Sequence, residues 1–183
     1  FKVEHQDGWH RALFVRQQFQ GIDRLAALAD FEQQLGLVGA AVAAAQQWGA
    51  GSTGSRLVTG STALHLELED ALATHVAAPA ARVFSSGYLA NIAAITTLVD
   101  SDTVVISDEL NHASLIDAIR LTRGRRVVVG HRDVGAVAAA LADRPETKAV
   151  IVTDAVFSVD GDLAPLRDLQ TLAVEHDAML IVD

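Results

Sequence analysis

Residues 103–129 read TVVISDELNHASLIDAIRLTRGRRVVV, and this stretch decides the fold. The apolar run Val104-Val105-Ile106 is followed by a helical segment over about 112–122 and then by a second apolar run, Val127-Val128-Val129. Strands that are apolar throughout and separated by a helix are typical of a parallel sheet that is buried on both faces. The stretch therefore predicts one strand–helix–strand unit of an α/β fold.

The same alternation extends over residues 81–183. Further β-rich runs are Arg82-Val83-Phe84, Val150-Ile151-Val152 and Leu180-Ile181-Val182. Further helical segments are predicted at about 88–99, 133–143 and 165–177. We expect an α/β domain with a mostly parallel sheet covered by helices on both faces.

Residues 1–48 have a different pattern. Apolar side chains such as Leu13, Phe14 and Phe19 stand at helical spacing up to about residue 34, and residues 38–48 form an alanine-rich helical segment. We therefore predict an N-terminal helical segment over 1–48 and an α/β domain over 49–183. The next helix is expected to begin after Ser61 and Thr62, which are good caps.

Composition excludes several classes of function. The chain has 183 residues, a net charge of −9 and a pI of about 5.1, which argue against nucleic-acid and anionic-membrane partners. The charged N-terminus does not fit a signal peptide, so we expect a cytoplasmic protein. The sequence holds no cysteine and no H-x-x-x-H pair, so we predict no disulfide and no metal site.

Residues 49–54 match the G-x-G-x-x-G pattern of dinucleotide-binding proteins. That pattern requires a strand before it and a helix directly after it, whereas here a helix precedes it and residues 56–60 intervene before the next helix. Glu69, at the expected spacing, stands in a helical pattern and not at a strand end. We therefore reject dinucleotide binding.

Polar residues stand where several predicted strands end, namely at Ser85-Ser86-Gly87-Tyr88, Ser107-Asp108-Glu109, Asp154 and Asp183. Ligands of parallel α/β sheets bind beyond the carboxyl ends of the strands. Each residue alone is as well explained as a turn former or cap, which holds also for His112 at a helix start. Together they predict a ligand site at this edge of the sheet.

Two positions at this edge suit a charged ligand. Gly87 permits close approach of a ligand to the start of a helix, where backbone amides suit a phosphate. Asp183 ends a buried strand, where a carboxylate is costly without a cationic partner, and a pyridinium nitrogen would be such a partner.

Four segments together resemble the α-oxoamine synthases, pyridoxal 5'-phosphate (PLP) enzymes of fold type I. They are residues 51–60, 84–91, 111–115 and 153–162. The resemblance runs from about Trp48 to Asp183 and implies that residues 49–183 are part of the family's PLP-binding large domain.

The resemblance also implies site residues. Gly87 and Tyr88 would bind the PLP phosphate through backbone amides, and His112 would stack on the pyridine ring. Ser158 would lie beside the ring and its phenolic oxygen, and Asp183 would pair with the pyridinium nitrogen. His112, Ser158 and Asp183 are thus the implied catalytic residues.

The biotin-pathway branch of the family gives the best match. It implies decarboxylative condensation of L-alanine with a pimeloyl thioester of coenzyme A or acyl-carrier protein, to 8-amino-7-oxononanoate, in a homodimer. The alternatives are 2-amino-3-oxobutyrate coenzyme A ligase or another α-oxoamine synthase. An alternative of a different class is a lysine-less, non-catalytic partner subunit.

The sequence departs from the family at three points. The family's usual Asn-Asp-Tyr-Leu-Gly-Leu segment is retained only as Gln33-Gln34-Leu35-Gly36-Leu37, and the stretch after it is shortened. Asp154 stands where the family usually has Glu. The Schiff-base lysine is expected beyond residue 183, because neither Lys2 nor Lys148 has the required context. The resemblance implies the small C-terminal domain there too, because members of the family are longer than this sequence. We therefore expect the 183-residue chain to be inactive on its own.

Overall fold

The computed structural model describes residues 12–14, 26–52 and 54–183. The described residues form two compact units, one within residues 26–83 and one that joins residues 12–14 to residues 84–183. The boundary at residue 48 that the sequence predicts stays a prediction. No helix in the described part of the chain is long and apolar enough to span a bilayer.

The larger unit contains a five-stranded parallel sheet of order β1-β5-β4-β2-β3. Its strands are β1 Ala12–Phe14, β2 Thr103–Asp108, β3 Arg125–Val129, β4 Lys148–Thr153 and β5 Met179–Val182. The strands predicted at 104–106, 127–129, 150–152 and 180–182 are confirmed.

Six helices lie in the described residues. They are α1 Ala26–Trp48, α2 Ala63–His75, α3 Gly87–Leu98, α4 Ala113–Arg120, α5 Val134–Ala142 and α6 Leu166–Glu175. The predicted start of α2 is confirmed, with Thr62 as its N-cap. The predicted helices over 88–99, 112–122, 133–143 and 165–177 are confirmed, with bounds that differ by one or two residues.

Helices cover both faces of the sheet, as predicted. Alternate residues of a strand point to opposite faces, so Val104 and Ile106 of β2 join one core and Val105 joins the other. The first core includes side chains of α5 and α6, such as Leu141 and Leu169. The second includes side chains of α3 and α4, such as Ile95 and Leu115. The predicted α/β fold class is confirmed.

The strand predicted at Arg82-Val83-Phe84 is wrong. Side chains of the smaller unit take up the backbone groups of Val83: its N–H donates to Glu69 Oε1 at 3.0 Å, and its carbonyl accepts from Arg56 Nη1 at 3.1 Å. A segment whose polar backbone groups are satisfied by side chains has no need of a strand neighbour.

The helical interpretation of the N-terminus is wrong for residues 12–14. This segment is the strand β1, with Leu13 in register with Ile181 of β5. Pairing with an available sheet edge overrides the local helical spacing, because strand formation depends on tertiary context. Residues 1–11 and 15–25, including Phe19, lie outside the described residues.

Residues at the two ends of the glycine-rich turn between α1 and α2 are in contact with each other. Ser52 Oγ donates to the carbonyl of Gly60 at 2.5 Å, and a Cβ at Gly60 would lie 2.0 Å from the carbonyl oxygen of Gly54. Residue 60 must therefore be glycine for this turn to form. Arg56 projects from the turn to Glu69 at 2.5 Å, so Glu69 serves as a structural anchor of this unit.

Candidate active site

Asp183 lies directly beyond β5, at the carboxyl edge of the sheet. Its backbone N–H donates to the Thr153 carbonyl at 3.0 Å, and its own carbonyl accepts from Ala155 at 2.7 Å. Its carboxylate Oδ2 accepts from Asn91 Nδ2 at 2.8 Å. Within residues 36–52 and 54–183, whose side chains are described, no cationic side chain pairs with this carboxylate. Asp183 is therefore a fixed acid with capacity for a further, cationic partner.

Asn91 holds Asp183 from the second turn of α3. It is 1% exposed, and its Nδ2 also donates to Ser114 Oγ at 2.8 Å. An ionised carboxylate can only accept hydrogen bonds, so the amide nitrogen must face Asp183. Asn91 Oδ1 is left buried without a partner, at a cost of about 1–3 kcal/mol. Asn91 therefore orients Asp183, while its own side-chain oxygen is left without a hydrogen bond.

His112 is the N-cap of α4 and is exposed. Its Nδ1 accepts from the backbone N–H of Ser114 at 3.3 Å and lies 2.7 Å from Ser114 Oγ. The capping role that the sequence left open is thus observed. It fixes one edge of the imidazole and leaves the ring accessible, so capping does not preclude stacking on a ligand.

Asp154 directly follows β4, the strand that pairs with β5, and is 5% exposed. Its Oδ2 accepts from the backbone N–H of His112 at 3.0 Å, so this carboxylate, shorter than the family's usual Glu, reaches the start of α4. Burial and the negative charge of Asp183 raise the pKa of Asp154 to about 6. The two carboxyl groups therefore interact at the sheet edge, and burial disfavours the charged form of Asp154.

Asn111, which the sequence places only inside a motif, connects the ends of β2 and β4. Its Nδ2 donates to the Val152 carbonyl at 2.8 Å and to Ser107 Oγ at 3.0 Å, and its Oδ1 accepts from the backbone N–H of Asp154 at 3.2 Å. This buried amide therefore fixes the backbone from which His112 and Asp154 project.

Gly87 and Tyr88 begin α3. Ser86 caps the helix by accepting from Leu89 N–H at 3.2 Å, and the first amides of a helix have no partner within it. Tyr88 is exposed and its hydroxyl donates to Asp117 Oδ2 at 3.2 Å, which raises the pKa of Tyr88. The phenol thus contacts α4, while the backbone amides remain suited to an anion.

Ser158 is exposed in a loop between β4 and α6. The loop closes through hydrogen bonds from Phe157 N–H to the Asp162 carbonyl at 3.0 Å and from Gly161 N–H to the Phe157 carbonyl at 2.8 Å. Among the described residues, no hydrogen bond joins Ser158 to Gly87, Tyr88, His112 or Asp183. Asn91 and Ser114 link His112 to Asp183, but Ser158 stands apart from that network.

His131, which the sequence analysis misses, connects the Ser158 loop to the sheet. Its Nδ1 lies 3.1 Å from Asp108 Oδ1 and its Nε2 lies 2.8 Å from Asp162 Oδ2. Its ring packs edge-on against Phe157, with centroids 4.4 Å apart. Hydrogen bonds to Asp162 and then Asp108 raise the pKa of His131, because both nitrogens face carboxylates. The signal was present, since His131 follows the end of β3.

A family model described as aminotransferase class I and II matches residues 27–183. The chain belongs to this family. The family depends on PLP, the cofactor that the resemblance implies. Among the described residues, no cluster of His, Asp or Glu is arranged to hold a metal ion.

Curated relatives include 8-amino-7-oxononanoate synthases. That of Mycolicibacterium gilvum (strain PYR-GCK) is 58% identical over 142 residues, covering 78% of this chain and 37% of the relative. That of Mycobacterium sp. (strain JLS) is 56% identical over 147 residues, covering 80% and 38%. The chain thus spans well under half the length of these relatives.

Solved structures share the fold. A serine palmitoyltransferase from S. paucimobilis with bound PLP matches with a TM-score of 0.77 and 35% identity, over 80% of this chain and 37% of that chain. An 8-amino-7-oxononanoate synthase from Francisella tularensis matches with a TM-score of 0.62 and 28% identity, over 78% and 38%. The predicted partial large domain of PLP fold type I is confirmed.

The residues at the sheet edge fit the cofactor. PLP has an anionic phosphate and a ring nitrogen that carries a positive charge when protonated. The free amides at the start of α3 suit the phosphate, and the Asp183 carboxylate lacks a cation among the described residues. The backbone donors at the start of α3 and the Asp183 acceptor therefore complement the two ends of PLP.

Proposed function

We propose that the native protein catalyses the decarboxylative condensation of L-alanine with a pimeloyl thioester to 8-amino-7-oxononanoate, using PLP. One observation carries the proposal: Asp183 is held at the sheet edge by Asn91 at 2.8 Å, with no cationic side chain beside it in the described residues. Identities of 58% and 56% to 8-amino-7-oxononanoate synthases support this choice of reaction.

Each site residue has a role in this proposal. Gly87 and Tyr88 bind the phosphate through their amides, His112 stacks on the ring, and Ser158 contacts the phenolic oxygen. Asp183 keeps a proton on the ring nitrogen. When bound, PLP supplies the electron sink for bonds broken at the α-carbon of the amino acid.

A second reaction of the same class is supported by the serine palmitoyltransferase similarity, at a TM-score of 0.77. The identity to that protein is 35%, against 58% for the 8-amino-7-oxononanoate synthase of M. gilvum. Shared fold alone does not select the acyl chain or the amino acid. We therefore keep this reaction and that of 2-amino-3-oxobutyrate coenzyme A ligase as alternatives.

We further propose a cytoplasmic homodimer that takes its acyl group from coenzyme A or acyl-carrier protein. The apolar side chains of Leu37, Val38 and Val42 on α1 are 69%, 60% and 52% exposed. An apolar helix face of this kind supports burial against a second copy. Sedimentation of an active native protein as a monomer at micromolar concentration would contradict the dimer.

The deciding experiment compares amino-acid and thioester pairs. The native protein with PLP is assayed for carbon dioxide release and for product mass with L-alanine and pimeloyl-coenzyme A, with L-serine and palmitoyl-coenzyme A, and with glycine and acetyl-coenzyme A. We expect the highest kcat/KM with the first pair. A preference for another pair would indicate the reaction of another α-oxoamine synthase. The absence of turnover with every pair would favour the alternative of a non-catalytic partner subunit.

A further inference from the structure

We propose that Asn91 is a positioning residue that holds Asp183 and His112 in one hydrogen-bond relay. This relay is the series Asp183–Asn91–Ser114–His112. The Asn91 amide donates to Asp183 Oδ2 and to Ser114 Oγ, each at 2.8 Å, and Ser114 Oγ lies 2.7 Å from His112 Nδ1. The inference rests on the proposed function for the part that concerns PLP.

The direction of each hydrogen bond in the relay follows from which atoms carry a proton that they can donate. Ser114 Oγ accepts from Asn91 Nδ2, so its single proton is free to be donated to His112 Nδ1. His112 Nδ1 also accepts from the Ser114 backbone N–H at 3.3 Å, and an amide N–H can only donate. Nδ1 therefore carries no proton, and the imidazole proton is on Nε2.

The other end of the relay fixes the acid. Because Asn91 occupies Oδ2, the remaining oxygen of Asp183 is left for an incoming donor. Both amide protons of Asn91 are committed to the relay, one to Asp183 Oδ2 and the other to Ser114 Oγ. Helix α3 begins at Gly87, and Asn91 lies one turn further along it. The same helix therefore orients both the backbone amides proposed to bind the phosphate and the carboxylate of Asp183.

The first test needs no cofactor. Long-range proton–nitrogen NMR of the cofactor-free native protein, with histidine labelled by nitrogen-15, reports which nitrogen of His112 is protonated, and His112→Gln assigns the signal. We expect a proton on Nε2 and none on Nδ1. A proton on Nδ1 would overturn the relay.

The second test is a double-mutant cycle read as the dissociation constant of PLP, measured by equilibrium dialysis. We expect Asn91→Leu to weaken PLP binding about tenfold in the native protein and about threefold when Asp183→Asn is already present, because only the effect through Ser114 and His112 then remains. Equal losses in both backgrounds would show that Asn91 is only structural and would overturn the proposal.

Controls separate misfolding and a wrong function from a wrong relay. Thr96→Ala, an exposed change on the same helix, should leave PLP affinity unchanged, and Asn91→Ser replaces Asn91→Leu in the cycle if the latter does not fold. Wild-type protein that fails to bind PLP but shows the Nε2 proton would overturn the proposed function and the cofactor part of this inference. Failure of the NMR test alone would overturn the relay and leave the proposed function standing.

Discussion

Asn91 Nδ2 donates to Asp183 Oδ2 at 2.8 Å, although the two residues lie 92 positions apart in the sequence. The contact joins the second turn of α3 to the end of β5. It therefore fixes α3, whose first backbone amides are the candidate phosphate-binding groups, relative to the carboxylate of Asp183, the candidate partner of the PLP ring nitrogen. The two groups that would bind opposite ends of PLP are thus linked through Asn91.

Lys148 is expected to remain unmodified by PLP. Lys148 is the first residue of β4, and its Nζ donates to Asp100 Oδ2 at 2.5 Å. Asp154, at the candidate site, follows the last residue of the same strand. A six-residue strand separates its two ends by about 17 Å. Treatment of this chain with PLP and borohydride, followed by mass spectrometry, should give only the background labelling seen in Lys148→Arg. Stoichiometric labelling of Lys148 would contradict the assignment of the site to the carboxyl edge.

Glu69→Gln should destabilise the smaller unit. Glu69 is 3% exposed and accepts from Arg56 at 2.5 Å and from Arg82 at 2.7 Å. Glu69 is buried but both arginines are partly exposed, so losing the two charge-assisted hydrogen bonds should lower the free energy of unfolding by about 2 kcal/mol. Arg82→Ala, at a 72% exposed side chain, is the matched control and should cost less than about 1 kcal/mol. Urea unfolding measures both.

The same pair predicts an acid dependence. Hydrogen bonds, first from Arg56, lower the pKa of Glu69 from 4.5 to about 2. The stabilisation is therefore complete above pH 4.5 and is lost as the pH falls toward 2. The stability difference between wild type and Glu69→Gln should shrink over that window, and a constant difference would contradict the ion-pair account.

His131→Gln should destabilise the sheet unit most under mildly acidic conditions. Hydrogen bonds to Asp162 and Asp108 raise the pKa of His131 above 6.5, so its stabilisation is complete below pH 6.5 and is lost as the pH rises through the raised value. We expect a loss of about 2 kcal/mol below pH 6.5 and a smaller loss in alkaline buffer. His75→Gln, at an exposed histidine of α2, is the control and should change the free energy of unfolding by less than about 0.5 kcal/mol in the same urea titrations.

His112→Ala and His112→Asn separate stacking from capping. Both variants remove the ring, so both should weaken PLP binding by about 1 kcal/mol with a mild loss of turnover. Asparagine retains a side-chain acceptor for the Ser114 N–H, so only His112→Ala should also lower thermal stability, by about 1 kcal/mol. Equilibrium dialysis and thermal melting measure the two effects. Unchanged PLP affinity in both variants would contradict the stacking role.

Most of the α/β fold could be predicted from the sequence, because β2 to β5 are short apolar runs separated by helices. The strand predicted at residues 82–84 fails because the side chains of Glu69 and Arg56 satisfy Val83, a tertiary contact without a local signal. β1 is missed because three residues carry too little pattern. Such short runs are identified only by the sheet edge that pairs with them.

Some residues of the candidate site have a local sequence signal, and others are identified only by a tertiary contact. Strand-end position is enough to single out Asp154 and Asp183, and the same signal is present at His131, which lies two residues beyond the end of β3. Asn91 could not be predicted, because its role depends on a contact with a residue far along the chain. It lies in a segment that resembles the family, but nothing local distinguishes it from a helix-surface amide.

The most direct test of the account is turnover of Asp183→Asn in the native protein at saturating PLP. The amide keeps the shape of the carboxylate but removes the charge that holds the ring proton, so the electron sink is lost. With L-alanine and a pimeloyl thioester, we expect kcat to fall by about 100-fold or more while PLP stays bound. Asp133→Asn, which preserves the N-cap of α5, should retain wild-type turnover. Turnover of Asp183→Asn within a few-fold of wild type would contradict the assignment of Asp183 as the partner of the cofactor ring.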